Sequence, residues 1–469
     1  MYTISSKIKL FSIILVVVGA IGLIAGFIAA PSSIEEVKEI MASHHGHADD
    51  HPPVAPSNVE SHAKTDAVVH DDITANGKYE GNTHTLEGEL ADNKKDAHGD
   101  DEHYEHVLHQ LQNRPWASLY IAAFFFFMIA LGVLAFYAIQ FAAQAGWSPV
   151  LFRVMEAITA YLLPGGIIMF VILALSGFHI NHLFVWADPE VVAHDELIQG
   201  KSGWLNGTGL VIRAAIFLAG WITYRHFAVK YSRKQDEDSA GNVWYKKSFK
   251  IAAGFLVFFI YTESMMSWDW IMSFDPHWFS TLFGWYVFAS LFVSGITVIA
   301  LITIYLKSKG YLDFVNNSHI HDLAKFMFGI SIFWTYLWFS QFMLIWYSNI
   351  PEEVTYFITR IEDYKLPFFG MLAMNFLFPL LLLMNSDFKR INWFVVMTGI
   401  VILCGHYIDV FNMVMPATVG ESWFIGLPEI SAVLLFLGLF LFIVFSALTK
   451  APLLAKGNPL IEESKHFHY

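Results

Sequence analysis

Residues 261–285, YTESMMSWDWIMSFDPHWFSTLFGW, decide how this chain folds. They are the end of one long apolar run, a short polar elbow and the start of the next run. Glu263 and Asp269 fall where hydrocarbon or dense protein is expected. A carboxylate at the centre of a bilayer costs about 2.5–3.5 kcal/mol on insertion scales, so it is normally paired, protonated or placed on a proton or substrate path. Asp275, Pro276 and His277 make a turn too short to hold a soluble domain, and Pro276 disfavours helix at the residue before it. The elbow therefore belongs at one face of a membrane.

On either side of this stretch, long apolar runs alternate with polar joints. The runs cover about 10–30, 116–143, 154–175, 205–225, 248–268, 280–306, 323–348, 367–385, 391–414 and 428–448, each long enough to span about 30 Å at 1.5 Å per residue. They predict an all-α, polytopic membrane protein with ten transmembrane helices. Composition agrees: of 469 residues, 55% are hydrophobic and only 15% charged, too apolar for an ordinary soluble protein. The net charge of -13 supports no nucleic-acid reading, because much of the acidity sits in one polar segment near the N-terminus. Cys404 is the single cysteine and lies in an apolar run, which excludes a disulfide framework, a multi-thiolate metal site and a covalently attached c-type haem. Electron chemistry would need a bound molecule or a partner subunit. The first run, preceded by Lys7 and Lys9, exceeds the about 7–15 residues of a signal-peptide apolar region, so a retained helix is expected rather than a cleaved leader. Pro164 and Pro379 fall inside runs, where kinks are expected.

Between the first helix (1–30) and the second lies a His-rich segment, 31–115, with almost no aromatic residues. It cannot bury enough apolar surface to offset ordering its backbone and is expected to be an extended loop. His44, His45, His47, His98, His103, His106 and His109 invite a metal reading, but no cysteine accompanies them, and a solvated, subunit-contacting loop without metal is the expectation. The second to fifth helices (116–270) and the sixth to ninth (271–415) are two sets of four in the same orientation, as a parallel repeat about the membrane normal would give. They are flanked by the peripheral first helix and by a last helix with its tail (416–469). Tyr261-Thr262-Glu263 then corresponds to Tyr407-Ile408-Asp409. One face collects about eighteen basic residues, whereas the short loops of the other hold about three, Lys201, Arg360 and Lys365, so both termini are expected to be cytoplasmic.

Distance along each helix gives depth. Arg213 and His406 lie about 12 Å below the outer surface, Gln341 about 10 Å, and Glu263 and Asp409 about 8 Å. Groups from four helices thus share one level and are expected to meet, with Arg213 offsetting Glu263, and with His406 and Asp409 on one helix face. Glu263, His406 and Asp409 are the candidates for proton transfer. Arg213, Tyr261, Trp268, Asp269 and Gln341 are candidates for a ligand site or polar network, the aromatic ones lining a slot for a planar ring. The competing reading is a structural ion-pair network that only fixes helix packing. Glu156 with Tyr161 is a candidate inner half of a proton path, and Glu429 a candidate cap.

The run SWDWIMSFDPHWFSTLFGWY (267–286), ten helices and a long first outer loop together resemble the large membrane subunits of Alternative Complex III, the paralogues ActC and ActF, which are related to the NrfD or polysulfide-reductase membrane subunit. Length and the His-rich loop resemble ActF more. The resemblance covers 116–448, and its most specific part is Trp268-Asp269-Trp270 with Asp275-Pro276-His277-Trp278. It implies two four-helix bundles, helices 2–5 and 6–9, flanked by peripheral helices, in a bacterial inner-membrane quinol:cytochrome c oxidoreductase with menaquinol as donor and a lipid-embedded ActC-type sister subunit. It further implies iron-sulfur and haem c subunits on the periplasmic side, and delivery of electrons to cytochrome c or a terminal oxidase. Glu263, His406 and Asp409 would then take quinol protons, in this chain or beside a quinol-binding sister. Two other classes remain: a passive anchor, and a secondary transporter, against which stands the lack of paired Gly-rich breaks. A haem b held by His179, His182 and His406 is disfavoured by their different depths.

Overall fold

The computed structural model describes residues 2–45, 86–238 and 241–468. Among them there is no strand, and ten helices are long and apolar enough to cross a membrane. These are α1 (Ser6–Ile28), α2 (Val107–Ala142), α3 (Pro149–Gly177), α4 (Gly207–Glu237), α5 (Val243–Phe274), α6 (Phe283–Ser308), α7 (Asn317–Ser348), α8 (Lys365–Leu383), α9 (Asn392–Val419) and α10 (Leu427–Leu448). The chain is an all-helical, multi-pass membrane protein. Helices satisfy every backbone donor and acceptor within the segment, which hydrocarbon requires.

The chain divides into two compact units, 31–112 and the remainder. In the first unit, the expectation of an extended loop is corrected where the chain is described. Residues Ile34–His45 are helical, and helix also runs from Leu86 onward. The Ser33 hydroxyl accepts the Glu36 amide, Glu36 accepts the Ser32 amide at 2.8 Å, and Glu35 and Glu36 fill the first turn. Those are helix-start signals. The side chains of His44, His45, His98, His103 and His106, and all of His47, lie outside the described residues.

In the second unit, α4 packs between α3 and α5, while α6 packs on α7 and α9, and α8 on α9. α1 lies along α10. α2 and α6, the leading helices of the two sets, are the most deeply buried and cross one another. A Cβ added to Gly132 would sit 2.0 Å from the Leu291 carbonyl oxygen, and one on Gly295 would sit 2.8 Å from the Val133 nitrogen. Two glycines thus let the backbones touch, the usual device where no hydrophobic effect drives helices together. Both described ends of the chain lie at one face, the terminal face: the Tyr2 ring is 5.0 Å from that of Tyr311, and the Ser464 hydroxyl donates to the Trp147 carbonyl at 2.6 Å. Asp275 lies at the opposite, elbow face.

Two spans are interrupted. A 3-10 turn, Thr159–Tyr161, divides α3 just before Pro164, and α8 carries a π-helical segment, Ala373–Leu377, just before Pro379. Each break accommodates a proline ring that would strike the preceding carbonyl. They occupy the second position of one set and the third of the other, so they are not a corresponding pair.

Because the atoms facing Gly132 are backbone, Gly132→Ala has no flexible neighbour to displace. It should cost about 1–3 kcal/mol. Thermal unfolding of the purified protein should show a clear drop, and wild-type melting would contradict this crossing.

Candidate functional site

The acids inside the spans are held in different ways. Asp269, in the last turn of α5, takes Arg213 Nε at 2.5 Å and Nη2 at 3.2 Å, and the Trp204 indole N–H at 2.6 Å. The guanidinium lies over the Trp204 ring and donates to its carbonyl. The segment that supplies Trp204 is tied to the elbow where Lys201 donates to the Pro276 carbonyl at 2.5 Å and where His277 Nε2 approaches Asp195 Oδ2 at 2.6 Å. Outside the spans, the Ile198 amide, His277 and the Leu197 amide hold Asp195 below the usual carboxylate range, while burial lowers Lys201. Arg213 is therefore committed to Asp269, which corrects the pairing with Glu263 expected from depth. Residues six apart on a helix point about 120° from one another.

Glu263 is 3% exposed, and its Oε1 has no hydrogen-bond partner. It opens on a cavity of about 220 Å³ walled by Ile139 of α2, Leu256, Phe259, Ile260 and Ser264 of α5, and Trp285 and Phe288 of α6. Ile260 and Trp285 are more than half exposed, so the rim lies on the outer surface of the helices, where lipid would stand. Tyr261 also faces outward, and Trp268 is half-buried with its indole N–H unpartnered; neither walls the cavity.

Asp409 of α9 is wholly buried among donors. Ser290 donates at 2.7 Å, Trp334 at 3.0 Å, and the Tyr286 hydroxyl also donates. His406 Nδ1 stands 3.5 Å from the Asp409 carboxylate and 3.5 Å from the Asn375 amide. Against this cluster lies a chamber of about 10 Å³ lined by Asp409, Tyr286, Gln341, Arg360 and Asn412, with apolar side chains between them. Arg360 comes from the helix Pro351–Glu362 between α7 and α8, yet it is 3% exposed. Its Nε donates to the Asn412 carbonyl at 3.0 Å and Nη1 to the Tyr356 carbonyl at 2.7 Å. Sequence reasoning counted Arg360 as a loop charge and passed over Tyr286 and Ser290. Their spacing of four, one turn below the elbow, was the available signal for a shared helix face.

Two further acids are paired elsewhere. Glu156 accepts from Arg153 at 2.5 Å, Ser232 at 2.6 Å and Tyr137 at 3.1 Å, and Arg153 also binds Asp236. The Tyr161 hydroxyl has no hydrogen-bond partner and makes no direct bond to Glu156. Glu429 takes two bonds of 2.8 Å from Arg114, a third from Ser118 and the Gly426 amide, so it is both a cap and an ion pair. His179 and His182 are exposed in the loop after α3, which removes the haem b arrangement with buried His406. No group of three or more potential metal ligands occurs among the described residues.

The candidate side chains therefore do not converge. They form an ion pair at Arg213–Asp269, an apolar cavity at Glu263, and a polar cluster at Asp409 and His406 with Gln341 across its chamber. No protein-family model matches the chain, and no curated protein matches its sequence.

Arg213→Met leaves the Asp269 carboxylate buried without its cation, at a cost of about 3–5 kcal/mol. The variant should melt well below wild type, and adding Asp269→Leu should recover much of the loss; equal melting of Arg213→Met and wild type would contradict the pairing.

Proposed function

We propose that this chain is a membrane subunit of a bacterial quinol:cytochrome c oxidoreductase of the Alternative Complex III kind, an ActF-like paralogue that takes part in quinol oxidation and proton movement. The observation that carries this reading is the Glu263 cavity. A site that admits a hydroxylated ring from a bilayer needs apolar walls, an opening toward lipid and one acceptor at depth. Here the acid is Glu263, which lines the cavity, and apart from Ser264 the other walls are aliphatic and aromatic. An apolar cavity of about 150 Å³ is enough to take benzene, so about 220 Å³ admits the hydroxylated ring of a quinol head whose remainder stays in the opening toward lipid.

Quinol oxidation releases two protons and two electrons, so both need acceptors. Glu263 takes a proton from the ring hydroxyl. Asp409, with His406 beside it, is a second proton-exchanging group in the corresponding helix of the other set. Electrons leave at the elbow face to iron-sulfur and haem c subunits, and from there to cytochrome c or a terminal oxidase, with an ActC-type sister alongside. Placement in a bacterial inner membrane with cytoplasmic termini is supported by the basic residues at the terminal face, among them Lys7, Lys9, Lys230, Arg233, Lys246, Lys247, Lys389 and Arg390.

Glu263→Gln keeps the shape of the cavity wall and removes its proton acceptor. Quinol:cytochrome c turnover of the purified assembly should fall at least about a hundredfold. Wild-type turnover with wild-type proton release would reject the assignment, as would purification of the chain without any haem c subunit.

A further inference from the structure

We propose that the chamber beside Asp409 is a built hydration site, holding one ordered water through which Asp409 exchanges protons with the elbow face. Three polar atoms, Arg360 Nη2, Gln341 Nε2 and Asn412 Oδ1, have no hydrogen-bond partner, although their residues are only 3%, 5% and 3% exposed. All three residues line this one chamber together with Asp409. Its volume of about 10 Å³ is what one water occupies, and a buried water requires two to four polar partners. Two donors, one acceptor and a carboxyl are the complement of a water molecule. An anion would face the Asp409 carboxylate, a cation would face the Arg360 guanidinium, and an organic ligand is too large. Leaving three buried polar atoms dry is the costlier arrangement.

The three atoms come from α7, α9 and the surface helix Pro351–Glu362, so the water is the point where these elements meet. Arg360 and Tyr356 cover it on the elbow side. Tyr356 stacks on Trp278 of the elbow, with ring centroids 3.8 Å apart. In an exchange step the O–H bond of the Asp409 carboxyl breaks, its proton passes to the water, and the water releases a proton past Arg360 to solvent. Asp409 is left as carboxylate, and no electron moves. Arg360 and Gln341 are positioning residues, acting through the water they orient. This deepens the function proposed above, on which it rests only for the origin of the proton.

The test is hydroxyl-radical labelling by short X-ray pulses of the complete protein in lipid nanodiscs, since radiolysis of a bound water oxidises the side chains touching it. Met371 and Met413 line the chamber at 1% and 4% exposure, whereas Tyr347 is 83% exposed and serves as the control. Both methionines should be converted to sulfoxide in wild type, and Gln341→Leu should slow that conversion about tenfold while leaving Tyr347 unchanged. Arg360→Met should do the same and stands in if Gln341→Leu fails to fold. Unlabelled Met371 and Met413 in wild type, or unchanged rates in a folded variant, would overturn the proposal. The readout uses neither quinol nor partner subunits. A dry chamber would therefore leave the Glu263 reading intact, and failure of the Glu263 reading would leave the water in place.

Discussion

Hydrocarbon does not tolerate an unmatched charge, and the way each acid is matched organises this molecule. Three arginines each bind an acid on another helix: Arg114 joins α2 to α10 through Glu429, Arg153 joins α3 to α4 through Asp236, and Arg213 joins α4 to α5 through Asp269. Buried ion pairs add little net stability over apolar contacts. Their consequence is register, because each pair fixes how far one helix slides past its neighbour. Asp409 is matched without a full cation in hydrogen-bond contact, by two hydroxyls and an indole from α6 and α7. Of the six buried acids among the described residues, Glu156, Glu263, Asp269, Asp322, Asp409 and Glu429, Glu263 and Asp322 each keep an oxygen without a hydrogen bond, and that of Asp322 lies 2.6 Å from the Lys325 ammonium, which leaves Glu263 with no counter-charge.

Glu263 and Asp409 contrast although they hold similar places along their helices. Both stand in the last helix of a four-helix set, close to the elbow-face end. Glu263 turns outward, where α2, α5 and α6 leave an apolar cavity toward lipid. Asp409 turns inward, toward donors and a chamber roofed by a helix that does not cross the membrane. Similar positions along the two helices thus face an apolar cavity in one set and a small polar chamber in the other. The glycine crossing of α2 and α6 brings the two sets into contact.

Depth was legible in the sequence, and direction around each helix was not. A rise of about 1.5 Å per residue placed Glu263, Asp409 and His406 at similar levels before any coordinates existed. In a soluble helix the apolar stripe would also have shown which way each faces. Here lipid-facing and buried sides are equally apolar, as Tyr261 beside Glu263 illustrates, so five groups from four helices at one level read as one site. Arg213 reaches Asp269 rather than Glu263 for that reason. Arg360 escaped because a charge in a short loop reads as solvated, although Val354, Phe357, Ile358 and Ile361 recur at helical spacing through Pro351–Glu362 and were the available signal for a packed helix. The helix Ile34–His45 escaped because low hydrophobicity argues against a core, not against helix.

The account's central claim is that one buried carboxyl opens to the membrane while the others are closed to it. A hydrophobic carbodiimide, which partitions into the bilayer and modifies carboxyl groups reachable from hydrocarbon, tests this directly when adducts on the intact protein are mapped by mass spectrometry. The account predicts modification at Glu263, with Asp269, Asp409, Glu156 and Glu429 spared. An unmodified Glu263, or adducts on Asp409 or Asp269 in its place, would contradict it.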